Sequence, residues 1–247
     1  MTGTERNTDK GSRRDELAAN LVSVEQRIAS ACASAGRSRD EISLIVVTKT
    51  YPASDVGLLA ELGVTDVGEN RHPEAQLKLE ALLAMEANPS KTLPRCHFVG
   101  GLQTNKANAV TRYADVIHSV DRLKLVKALD RGAASAGRSV TCLVQVGLSE
   151  GAGRSGATPA DVPVIAEAID AAEHLILGGV MAVAPLGVDA KTAFDELRSV
   201  SLAVRGKFPH ASMISAGMSG DLEQAIQAGA THLRIGRSVL GERPLLG

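Results

Sequence analysis

Aromatic side chains are scarce: three Phe, two Tyr and no Trp make up 2% of the chain. Exposed stacking platforms for nucleic-acid bases are thereby disfavoured, and the core has to be built from Leu, Ile, Val and Ala. Cysteine is scarce too. Cys32, Cys96 and Cys142 lie far apart, are odd in number and form no CxxC. Reduced thiols of a cytosolic protein fit this better than staples or a metal site. No sign of charge dominates, since 27 basic and 28 acidic residues leave a net charge of -1 at pH 7. That is not the basic footprint of a nucleic-acid binder. Long apolar runs are missing as well. The longest, Leu175 to Val188, holds Pro185 and falls short of the about 20 residues of a membrane span. The N-terminal MTGTERNTDKGSRRDE is polar and offers no signal-peptide core. The expectation is a cytoplasmic protein, a monomer, with no nucleic-acid or membrane partner.

Hydrophobic residues make up 44% of 247, which suits one closed α/β barrel of about 250 residues. A globular chain of this size buries roughly three quarters of its unfolded surface and needs no metal or disulfide. Residues 1–12 read as a disordered tail, leaving 13–247 as one domain. An extra N-terminal helix comes first, with Leu17, Leu21, Val24 and Ile28 on one face and Gly36 as its stop. Strand-like runs follow near 44–48, 65–68, 96–99, 115–118, 141–146, 175–181, 212–215 and 231–235. Amphipathic helical stretches separate most of them. Val162, Ile165, Ala166 and Ile169 share a face in 160–172, as do Leu123, Val126, Leu129 and Ala133 in an earlier stretch. Such alternation implies parallel strands with right-handed crossovers, and strands with few polar positions fit a sheet covered on both faces. The predicted fold is a single (β/α)8 barrel. An open doubly wound sheet is the alternative, but its frequent GxGxxG after strand one is replaced here by KTYPAS. ELGVTDVGEN (61–70) and QAGATHLRIG (227–236) echo each other; common αβ-loop chemistry accounts for that without a duplication.

In such a barrel, chemistry sits at the carboxyl ends of the strands and phosphate commonly binds after strands 7 and 8. Strand 1 ends in Thr48-Lys49-Thr50. By position alone, Lys49 is either a desolvated nucleophile or a rim cation reaching water. Strand 7 ends in Ser215-Ala216-Gly217-Met218-Ser219-Gly220 before a helix carrying Leu222, Ala225 and Ile226. Ser219 suits an N-cap there, and a helix start attracts an anion. An ordinary capped loop, with Asp221 complementing the dipole, reads equally well. Strand 8 ends in Arg234-Ile235-Gly236-Arg237-Ser238. Gly236 allows close approach, and the arginines are phosphate donors or plain surface residues. The coincidence matters more than any single loop. Two Gly/Ser loops after strands 7 and 8 lie beside a lysine on strand 1 in a closed barrel, which suggests a phosphorylated carbonyl compound. Asn70, ending strand 2, could bond a ligand oxygen. His97, alone in strand 3, reads as a packed or surface residue, and Met181, ending strand 6, as apolar lining. The Gly100–Lys106 run reads as loop or pocket wall. No metal spacing and no GxSxG is present.

The same residues resemble a known family. Pyridoxal phosphate (PLP) homeostasis proteins carry V-[ST]-K-T, GEN, H-F-[IV]-G-x-L-Q-x-N-K, Q-V-N…[KR]-x-G, G-[LV]-M, S-x-G-M-S-x-D and R-I-G-x-x-[IL]-[FL]-G. This chain reads VVTKT at 46–50, GEN at 68–70, HFVGGLQTNK at 97–106 and QVGLSEGAGRSG at 145–156. It continues with GGVMAV at 178–183, SAGMSGD at 215–221 and RIGRSVLG at 234–241. The resemblance implies the PLP barrel of the alanine racemase type, without the second β-domain. It implies PLP on Lys49 as a Schiff base and phosphate contacts from Ser219, Gly236 and position 237, with Ser215 nearby. It also sets Arg234 toward the pyridine nitrogen or the phosphate, with Asn70, Met181 and Met218 among the pocket residues. Three positions depart from the pattern. Arg237 stands where Thr or Ser is usual, so only its backbone N–H carries over. Arg71-His72-Pro73 follows GEN where an aromatic and Gln are common, and Gly147 replaces the Asn of Q-V-N.

The function so implied is a cofactor buffer or carrier acting in intracellular PLP homeostasis, with PLP-dependent apo-enzymes or amino acids as partners. A reactive aldehyde is stored reversibly by an imine. A racemase also needs an acid/base group opposite the lysine, a tyrosine from another domain in that family, whereas this chain has Tyr51 and Tyr113 and ends at Gly247 just past strand 8. A PLP-dependent amino-acid racemase or lyase of low activity is one alternative. A Schiff-base aldolase acting on sugar phosphates is another.

Overall fold

The structure is a computed structural model. It describes residues 4–85, 93–148, 156–185 and 187–242, with side chains from Ser12 onward. Eight strands close into a barrel in chain order: β1 (Ser43–Val47), β2 (Asp66–Glu69), β3 (Arg95–Phe98), β4 (Val116–Val120), β5 (Val140–Gln145), β6 (Leu175–Met181), β7 (Met213–Ser215) and β8 (His232–Ile235). All are parallel, and β8 pairs back onto β1 with Ile45 opposite Arg234. The open-sheet alternative is therefore out. Helices alternate with the strands: α1 (Thr4–Ser34), α2 (Ala53–Glu61), α3 (Glu74–Met85), α4 (Ala107–Val110), α5 (Leu123–Ala136), α6 (Val162–Asp170), α7 (Ala190–Lys207), α8 (Leu222–Gln227) and α9 (Arg237–Leu240). Each strand lies within two residues of its expected place.

The apolar patterns explain the packing. Leu17, Leu21, Val24 and Ile28 are buried along α1, and Val162, Ile165, Ala166 and Ile169 along α6. In α5 the inward face is Leu125, Val126, Leu129 and Ala133, while Leu123 is exposed. Leu123 is the first residue of that helix, so it sits at the barrel's end and not against the sheet. The two echoing loops do share a geometry: Gly63 and Gly229 take φ of 88° and 96° after α2 and α8. A small cluster of Val116, Leu143 and Met181, with Met213 against it, joins β4 to β7.

Of the expected disordered tail, residues 1–3 lie outside the described residues, while residues 4–12 are helical, because α1 begins at Thr4. Extending a helix that is docked further along costs little beyond its nucleus, so polar residues continue it. The docked part works as a brace. Arg13 pairs with Asp55 at 2.6 Å and donates to the Leu240 carbonyl, and Asn20 donates to the Val239 carbonyl. Arg27 pairs with Glu223 and donates to the Ser219 carbonyl at 2.7 Å. One helix thus ties down the loops after β7 and β8.

The three cysteines are free and buried, and no cluster of metal-binding side chains occurs among the described residues. Reductant and chelator are therefore expected to leave the melting temperature in place. A calorimetric drop beyond roughly 4 °C, about 1 kcal/mol for a chain of this length, would reveal a staple.

Candidate functional site

The first strand delivers Lys49 to the carboxyl rim. Val46 pairs with Val67 and Ile235, so the residues after Val47 emerge between the ends of β2 and β8. Thr48 is fully buried and anchored twice. Its hydroxyl donates to Glu69 Oε1 at 2.7 Å, and its carbonyl accepts from Lys78 Nζ at 2.8 Å. Lys78 also meets Glu69 Oε1 at 2.6 Å, both side chains being buried. Thr50 then turns the chain at φ 68°, its N–H held by Glu74 Oε1 at 3.0 Å. Lys49, half-buried, therefore leaves a backbone fixed on both sides.

Across the sheet, Met181 and Ser215 end β6 and β7 opposite one another. Arg234, fully inside the barrel, donates from Nη1 to Ser215 Oγ at 2.7 Å and from Nη2 to the Ala182 carbonyl at 2.8 Å. Burial pulls its pKa down to about 10, which still leaves a cation at neutral pH.

The loop after β7 needs Gly217. Its φ is 91°, and a Cβ there would come within 2.7 Å of Ala225 and 2.8 Å of Leu233. Asp221, not Ser219, precedes α8 and accepts the Met218 N–H at 2.6 Å. The expected Ser219 cap is thus corrected: Asp221 closes the turn, so the helix starts too late for Ser219 to reach its N–H groups. Ser219 lies in the loop between, held through its carbonyl by Arg27, and Met218 is exposed.

The loop after β8 is packed on β1. A Cβ on Gly236 would lie 3.1 Å from the Val47 carbonyl oxygen, so only glycine lets the start of α9 settle there comfortably. The Val239 and Leu240 N–H groups of α9 bond the Gly236 carbonyl, whereas those of Arg237 and Ser238 have no carbonyl a turn earlier within the helix and can face an anion. Arg237 opens that turn with an exposed side chain.

Asn70 follows β2, half-buried, with its carbonyl so near Gly100 that a Cβ there would overlap it. The loops after β2 and β3 therefore touch. His72 stacks on Tyr113 at 6.2 Å, forming the wall at Arg71-His72-Pro73. The rim thus brings together Lys49, Asn70, Met181, Ser215, Ser219, Arg234, Gly236 and the backbone of Arg237. Residues 149–155 of the QVGLSEGAGRSG motif lie outside the described residues. A cleft of about 600 Å³, lined by Gln103, Arg122, Lys124 and Arg131, sits on the flank beside α5.

Three neighbours of the rim carried no role in the motif reading: Glu69, quoted only within GEN, Lys78 and His118. The signal was present as charge inside apolar patterns. Lys78 falls on the buried stripe of α3 with Ala75 and Leu82, and His118 interrupts the all-buried run of β4.

A model described as "Alanine racemase, N-terminal domain" matches residues 14–244. A pyridoxal phosphate homeostasis protein of Mycobacterium bovis is 41% identical over 94% of this chain and 95% of its own. The chain belongs to the pyridoxal phosphate homeostasis protein family. Solved structures agree with that placement. An unknown protein from Bifidobacterium adolescentis superposes with a TM-score of 0.85 at 29% identity, covering 92% of this chain and 96% of that one. PipY of Synechococcus elongatus, solved with PLP bound, gives 0.78 at 30% identity over 91% of this chain and 100% of its own. In this member of the family, then, the strand ends of β1, β7 and β8 that carry the motifs lie at one rim.

Proposed function

We propose that this chain binds PLP at the carboxyl rim of its barrel, through Lys49, and stores or delivers the cofactor without turning over a substrate. The observation that supports this is the pairing of β1 with β8, which sets the strand end that carries Lys49 beside the loop after β8, where Gly236 rests against the Val47 carbonyl. The residues present fit the group. Backbone donors at the start of α9 and in the Ser219 loop suit a phosphate dianion. Met181 supplies an apolar wall, and Asn70 a polar one. Bound PLP supplies an aldehyde that joins an amine reversibly, and Lys49 is the amine at hand. Arg234 holds its proton at neutral pH, so beside a ring nitrogen it orients the ring and cannot hand over a proton. That weakens the ring as an electron sink. Both tyrosines are engaged in packing: the Tyr51 hydroxyl donates to the Gly241 carbonyl at 2.8 Å, and Tyr113 stacks on His72. Neither is a ready acid/base partner for Lys49.

The same reading makes the protein a cytoplasmic monomer serving PLP-dependent apo-enzymes. Buried free thiols support a reducing compartment, and among the described residues no helix is long and apolar enough to cross a membrane.

The test begins with absorbance. Purified protein is expected to be yellow, and borohydride to bleach the band and fix one pyridoxyl group on Lys49. Lys49→Ala should lose the band entirely while keeping weaker, phosphate-anchored binding. Lys78 is an unsuitable rival, being buried against Glu69. A peptide map placing the adduct on Lys106 would overturn the assignment, and steady amino-acid turnover lost in Lys49→Ala would overturn storage.

A further inference from the structure

A continuous line of polar side chains runs through the barrel from one end to the other. Arg234 Nη1 meets Ser215 Oγ at 2.7 Å, and Ser215 Oγ meets His118 Nδ1 at 2.9 Å. His118 Nε2 meets His97 Nδ1 at 2.9 Å, and His97 Nε2 meets Asp66 Oδ1 at 2.8 Å. Arg95 closes the line on the same Asp66 oxygen at 2.8 Å. Ser215 is the last residue of β7, whereas Asp66 is the first of β2. The line thus connects the carboxyl rim with the amino rim, where Asp66 lines a separate cleft of about 350 Å³. Ser215, His118, His97 and Asp66 are all buried. Polar groups so placed cost stability unless fully bonded, and this chain is fully bonded link by link.

The hydrogens can be assigned from the ends inward. A guanidinium only donates, so Ser215 Oγ accepts from Arg234. The Ser215 hydrogen then goes to His118 Nδ1. Burial drives the His118 pKa well down, and the nearby Arg234 charge lowers it further, so His118 is neutral and carries its one hydrogen on Nε2. That hydrogen goes to His97 Nδ1, and the His97 Nε2 hydrogen to Asp66. Burial pushes the Asp66 carboxyl up, but hydrogen bonds from His97 and Thr65 and the Arg95 charge outweigh it and hold the pKa at about 2. Asp66 is therefore an acceptor at neutral pH. Every hydrogen points from Arg234 to Asp66. The reverse order would put a second buried cation on His97 and leave the Ser215 hydrogen without its acceptor. His97 faces Asp66 from β2, His118 from β4 and the His232 ring from β8, 6.4 Å away. Burial lowers the His232 pKa to about 4, so His232 adds no charge there at neutral pH.

We propose that Ser215, His118, His97 and Asp66 are positioning residues for Arg234, a one-way hydrogen-bond relay that fixes the guanidinium facing the PLP ring. The relay uses PLP binding only for what Arg234 faces. Its far end, Asp66, is four links from Arg234 and touches neither the phosphate loops nor Lys49, so a cofactor response to Asp66 can arise only through the line.

Two measurements on the full chain test this. The first is histidine ring nitrogen NMR on labelled protein, with and without PLP. His97 and His118 are expected as neutral rings with hydrogen on Nε2, and a hydrogen on Nδ1 of either ring would overturn the one-way relay. The second compares the absorption and emission maxima of bound PLP in wild type, Asp66→Asn, His118→Phe and Arg234→Gln. Both relay variants are expected to shift the band in the direction Arg234→Gln shifts it, with affinity reduced by no more than about tenfold because the phosphate loops and Lys49 are intact. A merely structural role would lower the melting temperature and leave the band in place, and that result would overturn the proposal. Should a variant not fold, the wild-type ring pattern still decides. Should wild type bind no PLP, the cofactor reading fails by itself, while the ring pattern of the PLP-free protein judges the relay separately.

Discussion

Replacing Lys78 by alanine is expected to cost about 3–5 kcal/mol of stability, the penalty for leaving a buried charge without its partner. Glu69 is buried, and its Oε1 takes hydrogen bonds from both Lys78 and Thr48. Its Oε2 already has no partner among the described residues. Removing Lys78 leaves that carboxylate with one hydroxyl in a dry site, and frees the Thr48 carbonyl as well. The pair itself need not be a net gain, since charges are costly to desolvate. Changing both residues, as in Glu69→Leu with Lys78→Met, should therefore recover most of the loss. Denaturant unfolding of the single and double variants reads the difference directly. A loss below about 1 kcal/mol for Lys78→Ala, the range of exposed ion pairs, would mean that water reaches Glu69. Function should follow stability here, because Thr48 directly precedes Lys49. The loosened strand end is expected to bind PLP more weakly even at temperatures where Lys78→Ala is folded.

The barrel was legible because its signals are local and repeated. Short apolar runs separated by 3.6-period stretches recur along the whole chain, and Gly63 and Gly229 punctuate two helix ends with the same left-handed turn. The rim was legible for a related reason: strand ends fix position, so Lys49, Ser215 and Gly236 could be placed together once closure was assumed. What lay beyond reach were the partnerships. Glu69 reads as one polar residue in a motif, and Lys78 as a helical lysine nine residues on; only the docking of α3 onto β2 makes them a pair. His97 read as a packed histidine, which is true but incomplete, because His118 sits on the next strand and Asp66 on the previous one. The cap at Ser219 failed because α8 starts only at Leu222, with Asp221 at the cap position, so the free N–H groups of the first turn lie past the reach of Ser219. Tertiary choices among nearby polar groups do not leave a periodic trace.

The phosphate grip separates cofactor storage from a bland barrel, and glycine at position 236 is its most sensitive point. Gly236 is expected to matter more than Ser219, because a side chain there displaces backbone while Ser219→Ala deletes one donor. A Cβ on Gly236 would already lie 3.1 Å from the Val47 carbonyl oxygen, and a branched side chain adds bulk at the same spot. Val47 belongs to β1 and cannot easily yield, so α9 has to lift, and its first-turn N–H groups lift with it. A charge-assisted bond contributes roughly 1.5–3 kcal/mol, so Ser219→Ala should weaken PLP binding by about tenfold to a hundredfold. Gly236→Val should exceed that, with Gly236→Ala between. Pyridoxal, which lacks the phosphate, should bind wild type far more weakly and discriminate little between wild type and Ser219→Ala. The measurement is a titration of both ligands against the variants, followed by absorbance, with melting curves to confirm that each variant is folded. Equal losses of PLP and pyridoxal in Ser219→Ala would show that the loop after β7 shapes the pocket in general and does not hold phosphate. A Gly236→Val protein with wild-type affinity would show that the start of α9 is not part of the grip at all.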